Sequence, residues 1–151
     1  MRTIYLQGDL FSNIENLKYP ILVPHVCNNK GIMGAGFAKF VKQKYPEVFH
    51  WYKSCLTEEL GTVSYVHSIF NNNICFANMI AQTLGGKRPL DYHALIHCMV
   101  DVFRFCNEEF IEHIIAPMFG SGLAGGNWDF IAELIEDYWV KKGLQVTIFY
   151  L

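Results

Sequence analysis

The sequence predicts a three-layer α/β/α sandwich around a mixed central sheet, formed by one domain that spans residues 1–151. Apolar strand-like runs alternate with segments whose apolar residues recur at helical spacing, which is typical of this class. Two strand patterns flank the turn-forming Asn71–Asn72–Asn73, and this hairpin signal adds an antiparallel pair to an otherwise parallel sheet. A chain of 151 residues is long enough to bury the core of such a domain.

The first half of the chain contains four predicted strands and two helices. The strand patterns cover residues 3–7, 21–26, 62–68 and 74–81. The second of them is apolar except at His25, as a buried central strand should be. The helical patterns follow residue 36 and Pro46, where proline interrupts the first. Residues 82–90 contain two glycines and a proline and are predicted to form a loop.

The second half contains two helices and two strands. Asp91 precedes a long helical pattern and Asn127 precedes another, and both residue types are common helix N-caps. Residues 113–119 form a buried strand pattern between them. Gly143 is predicted to end the last helix, and residues 145–151 form the final strand.

Composition excludes several classes of protein. A hydrophobic fraction of 52% with 17% charged residues indicates a packed core and not a disordered chain. The net charge of −2 and the scattered basic residues argue against duplex nucleic acid as a partner. No segment approaches the roughly 18 apolar residues of a membrane span, and no signal-type stretch precedes the first strand.

The five cysteines have no C-x-x-C spacing, which argues against a zinc site and against a disulfide framework. Their default role is as small core hydrophobes in a reducing compartment. We therefore expect a cytoplasmic monomer with neither metal nor cofactor.

Two glycine-rich loops carry the strongest functional signal. We call residues 31–36 the first glycine loop and residues 120–126 the second; each follows a buried strand pattern and precedes a helix. Such a junction directs unpaired backbone N–H groups and the positive end of a helix dipole at one point, where a phosphate binds. Two such loops in one small domain predict a ligand with two phosphates, or a diphosphate held from both sides.

Four ordered motifs resemble the macrodomain family, and the resemblance covers the whole chain. They are Gly8–Asp9–Leu10–Phe11, His25–Val26–Cys27–Asn28, Gly31–Ile32–Met33–Gly34–Ala35–Gly36–Phe37, and Pro117–Gly126 with Trp128. The resemblance implies ADP-ribose or a derivative as ligand. Asn78–Met79–Ile80–Ala81–Gln82 and the final strand are similar to the branch of ADP-ribose 1''-phosphate phosphatases and small terminal ADP-ribose hydrolases.

The first motif is expected to bind the adenine. The resemblance implies that Asp9 accepts from the adenine N6, with Gly8 and Leu10 beside it. From the residues alone, a turn or helix cap is the more common role for Asp after Gly. Phe149 is predicted to pack on the adenine face, and a core position is its alternative role.

The first glycine loop and the strand before it are expected to hold the distal ribose and a phosphate. Asn28 can donate and accept, which suits a ribose hydroxyl, although Asn28–Asn29 could equally form a local turn. Backbone approach through the loop adds the following ligand-binding residues: Met33, Gly34, Ala35, Gly36 and Phe37.

The second glycine loop is expected to form an anion nest. Glycines allow the left-handed turns of such a nest, Ser121 adds a hydroxyl and Leu123 a backbone N–H. The ligand-binding residues predicted there are Gly120, Ser121, Gly122, Leu123, Ala124 and Gly125.

Three residues are predicted to be catalytic: His25, Asn28 and Gln82. The resemblance places a histidine at position 25 near the distal ribose, and with a pKa near neutrality it could act as an acid or a base. Some deacylating relatives use a lysine with an aspartate in the second glycine loop. Ala124 stands where that aspartate would be, so a role for Lys87 or Arg88 in such a mechanism is disfavoured.

The predicted function is hydrolysis of ADP-ribose 1''-phosphate or a related terminal ADP-ribose derivative. Two alternatives remain open at this stage: removal of ADP-ribose from a protein or nucleic acid, and ADP-ribose binding without turnover. A Rossmann dehydrogenase is excluded, since no G-x-G-x-x-G with a downstream acid at about 20 residues follows the first strand.

Overall fold

The computed structural model of the protein describes residues 2–151 as one α/β domain. Its strands are β1 (Ile4–Gln7), β2 (Ile21–Asn28), β3 (Val63–His67), β4 (Ile74–Gln82), β5 (His113–Pro117) and β6 (Gln145–Tyr150). Its α-helices are α1 (Leu10–Ile14), α2 (Gly36–Lys44), α3 (Pro46–Cys55), α4 (Tyr92–Glu108) and α5 (Trp128–Tyr138). A short 3-10 helix, Val140–Lys142, follows α5.

The six strands form one mixed sheet in the order β1-β6-β5-β2-β4-β3. Of the strand pairings among residues 2–151, only that of β3 with β4 is antiparallel, which confirms the predicted mixed sheet. Strand β2 lies near the centre and seven of its eight residues are buried, as its continuous apolar run predicts.

Side chains of the central strands point alternately to the two faces of the sheet and pack into two separate cores. Leu22 faces a core formed with α4 and α5, whereas its neighbours Ile21 and Val23 face a core formed with α1, α2 and α3. This is the period of two expected for a strand buried on both sides. The predicted three-layer α/β/α sandwich is confirmed.

Side-chain caps fix three helix starts. The Asp91 carboxylate accepts from Ala94 N–H, and the Asn127 amide oxygen accepts from Phe130 N–H, both as predicted. Asp9 caps α1, a five-residue helix that the sequence analysis did not predict because it is too short to show a period. Gly143 does not end α5; it has φ 102° and closes the 3-10 turn that follows.

Four of the five cysteines are buried, in agreement with their predicted role as core residues. No set of three or more His, Cys, Asp or Glu within residues 2–151 is arranged to hold a metal ion. Across the same residues, no helix is long and apolar enough to span a bilayer.

The pairing of β2 with β5 opens a crevice in the sheet. Their ladder comprises only Ile21–His113 and Leu22–Ile114, at the amino-terminal ends of the two strands. The chain leaves β2 toward β4 on one side and leaves β5 toward β6 on the other, so the two strands flank a topological switch point. In open α/β sheets, ligands bind at the carboxyl ends of strands at this point.

Candidate functional site

A cavity of about 410 Å³ lies at the switch point, and we call it the central cavity. The carboxyl ends of β2 and β5, both glycine loops and the loop after β4 surround it. Eleven of the predicted site residues line it: His25, Asn28, Gly34, Ala35, Gly36, Phe37, Gln82, Gly120, Gly122, Leu123 and Ala124.

The first glycine loop presents a continuous array of backbone N–H groups. From Met33 to Ala38, none of the six N–H groups donates to an acceptor within residues 2–151. The last three belong to the first turn of α2, whose N-cap residue Ala35 supplies no side-chain cap. The positive end of the helix dipole therefore adds to the unpaired donors.

The second glycine loop presents a matching array. The five N–H groups from Gly120 to Ala124 likewise have no acceptor in the described part of the chain. The loop is held in shape by its own bonds, because Gly125 N–H donates to Gly122 O at 3.0 Å and Gly126 N–H donates to Gly120 O at 2.8 Å. Unpaired amides in two loops that line one cavity are suited to a multiply charged anion.

Gly125 and Gly126 serve packing and not the ligand surface. A Cβ on Gly125 would lie 2.5 Å from the carbonyl oxygen of Lys87, and Gly125 has φ +75°. A Cβ on Gly126 would lie 2.5 Å from a methyl group of Leu90. Together with the bond from Leu90 N–H to Ala124 O at 3.1 Å, these contacts dock the loop at residues 83–89 against the second glycine loop.

Asn28 organises the first glycine loop. Its Oδ1 accepts from Lys30 N–H at 2.9 Å and from Ile32 N–H at 3.3 Å, while its Nδ2 donates to Ile32 O. The buried Tyr52 hydroxyl lies 2.6 Å from Asn28 O and accepts from Gly31 N–H. The turn-forming role that the sequence left open is therefore observed, at a register shift between Cys27 and Asn28 that ends β2.

His25 lies at the floor of the cavity and is only 2% exposed. Its Nε2 lies 2.7 Å from Asn78 Oδ1, and its ring makes an edge contact with Phe37 at 5.6 Å between centroids. Burial lowers the pKa of His25 to about 4, although the hydrogen bond to Asn78 opposes the shift. The predicted pKa near neutrality is therefore wrong, because spacing in the sequence does not reveal how deeply this ring is buried.

The lowered pKa of His25 makes stability depend on pH. In the unfolded chain this imidazole takes up a proton near its ordinary value of 6.5, whereas the folded protein does so only near 4. The stability that the folded protein gains from the lowered pKa of His25 is thus complete above pH 6.5 and is lost as the pH falls toward 4. Between pH 7 and pH 5 we expect it to lower the free energy of unfolding by about 2 kcal/mol.

Urea unfolding of the wild type and of His25→Gln across this range measures that contribution. Glutamine keeps a polar group for Asn78 but does not titrate, so the stability difference between the two proteins should shrink in acid. Parallel pH profiles for the two proteins would contradict the assignment.

Gln82 and the basic residues after β4 differ in their access to the cavity. Gln82 lines it, and the one hydrogen bond of its side chain among residues 2–151 is a 3.5 Å contact with Thr83 O. Lys87 and Arg88 are exposed and do not line it, whereas Ala124 does. The second glycine loop therefore offers no carboxylate partner for a nucleophilic lysine.

Other predicted ligand residues lie outside the central cavity. Asp9 is exposed, and its two carboxylate oxygens accept from Phe11 N–H and Ser12 N–H. Phe149 is 9% exposed and packs in the core with Leu10. The adenine contacts of the Gly8–Leu10 motif and Phe149 stay predictions.

Two further predicted residues contribute backbone more than side chain. The Met33 side chain is buried against Cys27 and Tyr52, so only its N–H belongs to the site. The Ser121 hydroxyl donates to Met118 O at 2.8 Å within its own loop.

Sequence reasoning missed part of the cavity wall. Leu84, Gly85 and Gly86 line it from the loop after β4, and both glycines have φ near +80°. The Gly85–Gly86 pair was the available signal, but it indicated only a turn.

Comparisons with known proteins agree with this architecture. No family model matches the sequence. A curated relative, the uncharacterised 17.5 kDa protein of the tk-vs intergenic region of Enterobacteria phage T4, is 29% identical over 95% of this chain and 93% of its own length. A protein of unknown function from Bacteroides thetaiotaomicron is 31% identical, with a TM-score of 0.87 over 100% of this chain and 99% of that one.

Two further solved structures are similar to nearly the whole of this chain. A macrodomain protein from Streptomyces coelicolor is 28% identical, with a TM-score of 0.81 over 99% of both chains. The Thermosipho africanus DarTG structure, solved in complex with ADP-ribose, is 20% identical and has a TM-score of 0.77 over 97% of this chain and 41% of that one. The sheet order, the two glycine loops at the switch point and the likeness to the Streptomyces protein along the whole chain agree: this chain has the macrodomain fold.

Proposed function

We propose that this protein binds ADP-ribose in the central cavity and hydrolyses a terminal ADP-ribose derivative, with the 1''-phosphate ester as the favoured substrate. The observation that carries the binding proposal is the pair of unpaired N–H arrays, Met33–Ala38 and Gly120–Ala124, on two sides of one cavity. A diphosphate fills both arrays at once, and the cavity volume falls in the range of about 300–1,000 Å³ of small-molecule sites.

The polar residues assign an orientation to the ligand. His25, Asn28 and Gln82 line the cavity wall formed by β2 and β4, so this wall receives the distal ribose. The adenine then points toward the Asp9 motif, which follows the edge strand β1. The ADP-ribose complex of the Thermosipho protein, which shares the fold, supports this class of ligand.

Hydrolysis would depend on positioning and backbone electrostatics. The N–H arrays stabilise negative charge that develops on a phosphoryl group, and they do so without reorganisation. His25 is neutral at pH 7, so it acts as a hydrogen-bond partner of a water or hydroxyl and not as a proton donor. The amide side chain of Gln82 makes fewer hydrogen bonds within residues 2–151 than that of Asn28, the other amide side chain assigned to the site.

Binding without turnover is the second candidate, and specific observations favour it. The His25 ring is 2% exposed, and Oδ1 of Asn28 already accepts several bonds from the first glycine loop. Release of ADP-ribose from a protein or nucleic acid by a lysine mechanism is disfavoured, because Ala124 replaces the partner acid.

Thermal unfolding with and without ADP-ribose tests the binding proposal. At 100 times the dissociation constant, the ligand adds about 2.7 kcal/mol of stability. For a domain of this size that corresponds to a rise in Tm of about 5–10 °C. Adenosine serves as the control ligand, because it lacks the diphosphate and should shift Tm far less.

A turnover assay separates the candidates. Phosphate release from ADP-ribose 1''-phosphate by the wild type, reduced in Gln82→Ala, supports the phosphatase. A raised Tm without release of any group from the 1''-phosphate, O-acetyl-ADP-ribose or ADP-ribosylated macromolecules supports the binding module. An unchanged Tm at millimolar ADP-ribose would contradict both the phosphatase and the binding module.

A further inference from the structure

A row of buried polar side chains crosses three neighbouring strands beneath the central cavity. Asn78 on β4 is paired in register with His25 on β2 and with Ser64 on β3. Asn78 is 0% exposed, its Oδ1 lies 2.7 Å from His25 Nε2, and its Nδ2 donates to Ser64 Oγ at 3.2 Å. Uncharged polar groups in the middle of a core cost stability unless they are hydrogen-bonded to one another.

We infer that Asn78 is a positioning residue: it binds the Nε2–H of His25, fixes one tautomer of the ring and leaves Nδ1 as the acceptor offered to the ligand. This inference rests on the proposed function, because it assigns a role to His25 within that site. Asn78 itself does not line the cavity.

The neighbours of Asn78 fix which way its amide faces. The Cys27 thiol lies 3.9 Å from Asn78 Oδ1 and is a donor to it. Burial raises the pKa of Cys27 well above its ordinary value, so the thiol keeps its proton. The ring N–H points at this oxygen, and the thiol lies within reach of it, although Cys27 Sγ is closer still to His25 Nε2, at 3.6 Å. Rotation of the amide would set its NH₂ group against the ring N–H.

Among residues 2–151, the other contacts of the ring give Nδ1 only a weak partner. Cys27 Sγ, at 3.8 Å, is a weak partner for Nδ1, and Phe37 on α2 touches the ring by its edge. Among the contacts that residues 2–151 make with the ring, none comes from a charged side chain. A neutral imidazole with a bound Nε2–H is consequently an acceptor at Nδ1, suited to a ribose hydroxyl or a water.

The tautomer of His25 in the wild-type protein is directly measurable. In ¹⁵N NMR spectra, with the His25 resonances assigned by comparison with His25→Gln, we expect a protonated Nε2 and an unprotonated Nδ1 from pH 8 to pH 5. Addition of ADP-ribose should shift the Nδ1 resonance more than that of Nε2, because only Nδ1 gains a partner.

Two variants at one position then separate positioning from structure. Asn78→Asp keeps an acceptor for Nε2–H and should raise the pKa of His25, moving the acid limb of the pH–activity profile upward. Asn78→Leu has similar volume but no acceptor. It should lower kcat by about 10-fold while the Kd for ADP-ribose changes by less than about 3-fold.

Each outcome decides the matter. The expected tautomer with a ligand-induced shift at Nδ1 supports the inference, even where Asn78→Leu fails to fold. A protonated Nδ1 overturns the inference. An Nδ1 resonance that does not shift with ADP-ribose, while Tm still rises, overturns it too. In either case the proposed function is unaffected. If neither Tm nor any His25 resonance responds to ADP-ribose, the proposed function itself fails and the inference with it.

Discussion

Replacement of Gly125 by alanine is expected to lower the free energy of unfolding by about 3 kcal/mol, from a steric clash together with a left-handed backbone. The new Cβ would lie 2.5 Å from Lys87 O and 3.0 Å from Arg88 Cα, and both of these are backbone atoms. They cannot move aside without shifting the 83–89 loop. Because that loop and the second glycine loop both line the central cavity, ADP-ribose affinity should fall as well.

Gly122→Ala is the matched control for Gly125→Ala. It lies in the same loop, its φ is not left-handed and a Cβ there meets nothing within 4 Å. Its stability should stay within about 0.5 kcal/mol of the wild type. Urea unfolding of the two variants measures the difference, and equal stabilities would show that the loops are not docked through Gly125.

A double variant that adds one carboxylate to each glycine loop, Gly34→Glu with Gly122→Glu, is expected to weaken ADP-ribose binding by about 100-fold, or about 2.7 kcal/mol. Both positions line the cavity, and neither has a left-handed backbone. A Cβ at Gly34 meets only Ile32 Cγ2, at 3.5 Å. Each carboxylate near a bound diphosphate costs about 1–3 kcal/mol of repulsion, depending on solvent screening.

A control with the same change of charge is Trp51→Glu with Val100→Glu. Both side chains are about half exposed on helices and neither lines the central cavity. Isothermal titration calorimetry with ADP-ribose should give wild-type affinity for this control. A similar loss in both double variants would indicate a general charge effect and would contradict a diphosphate site between the loops.

Periodicity and cap chemistry were sufficient to predict most of the fold. The apolar run before Asn28, the Asn71–Asn73 turn and the caps Asp91 and Asn127 all reappear in the structure, because each acts through local backbone geometry. Helix α1 was missed because five residues complete little more than one turn. The start of α1 also gives Asp9 the capping role that residue chemistry alone had favoured.

The site was predicted less completely than the fold, since its chemistry depends on depth and register. The sequence does not show whether a histidine in an apolar run is exposed or buried. His25 is only 2% exposed, and this burial lowers its pKa to about 4. The partners of Asn28 and Asn78 are set by the shift that ends β2 and by pairing across strands. Such pairings join residues about 50 positions apart, beyond the reach of local patterns.

The cysteines give the protein a built-in labelling position. Burial raises the pKa of Cys75, Cys98 and Cys106 to about 12, and that of Cys27 also rises, so these four thiols resist alkylation at neutral pH. Cys55 is the one exposed thiol among residues 2–151, and it ends α3 next to Leu56, which packs under Gly31. A maleimide fluorophore would therefore label the native sequence at the end of α3, beside the residue that packs under Gly31 of the first glycine loop, without any engineered cysteine.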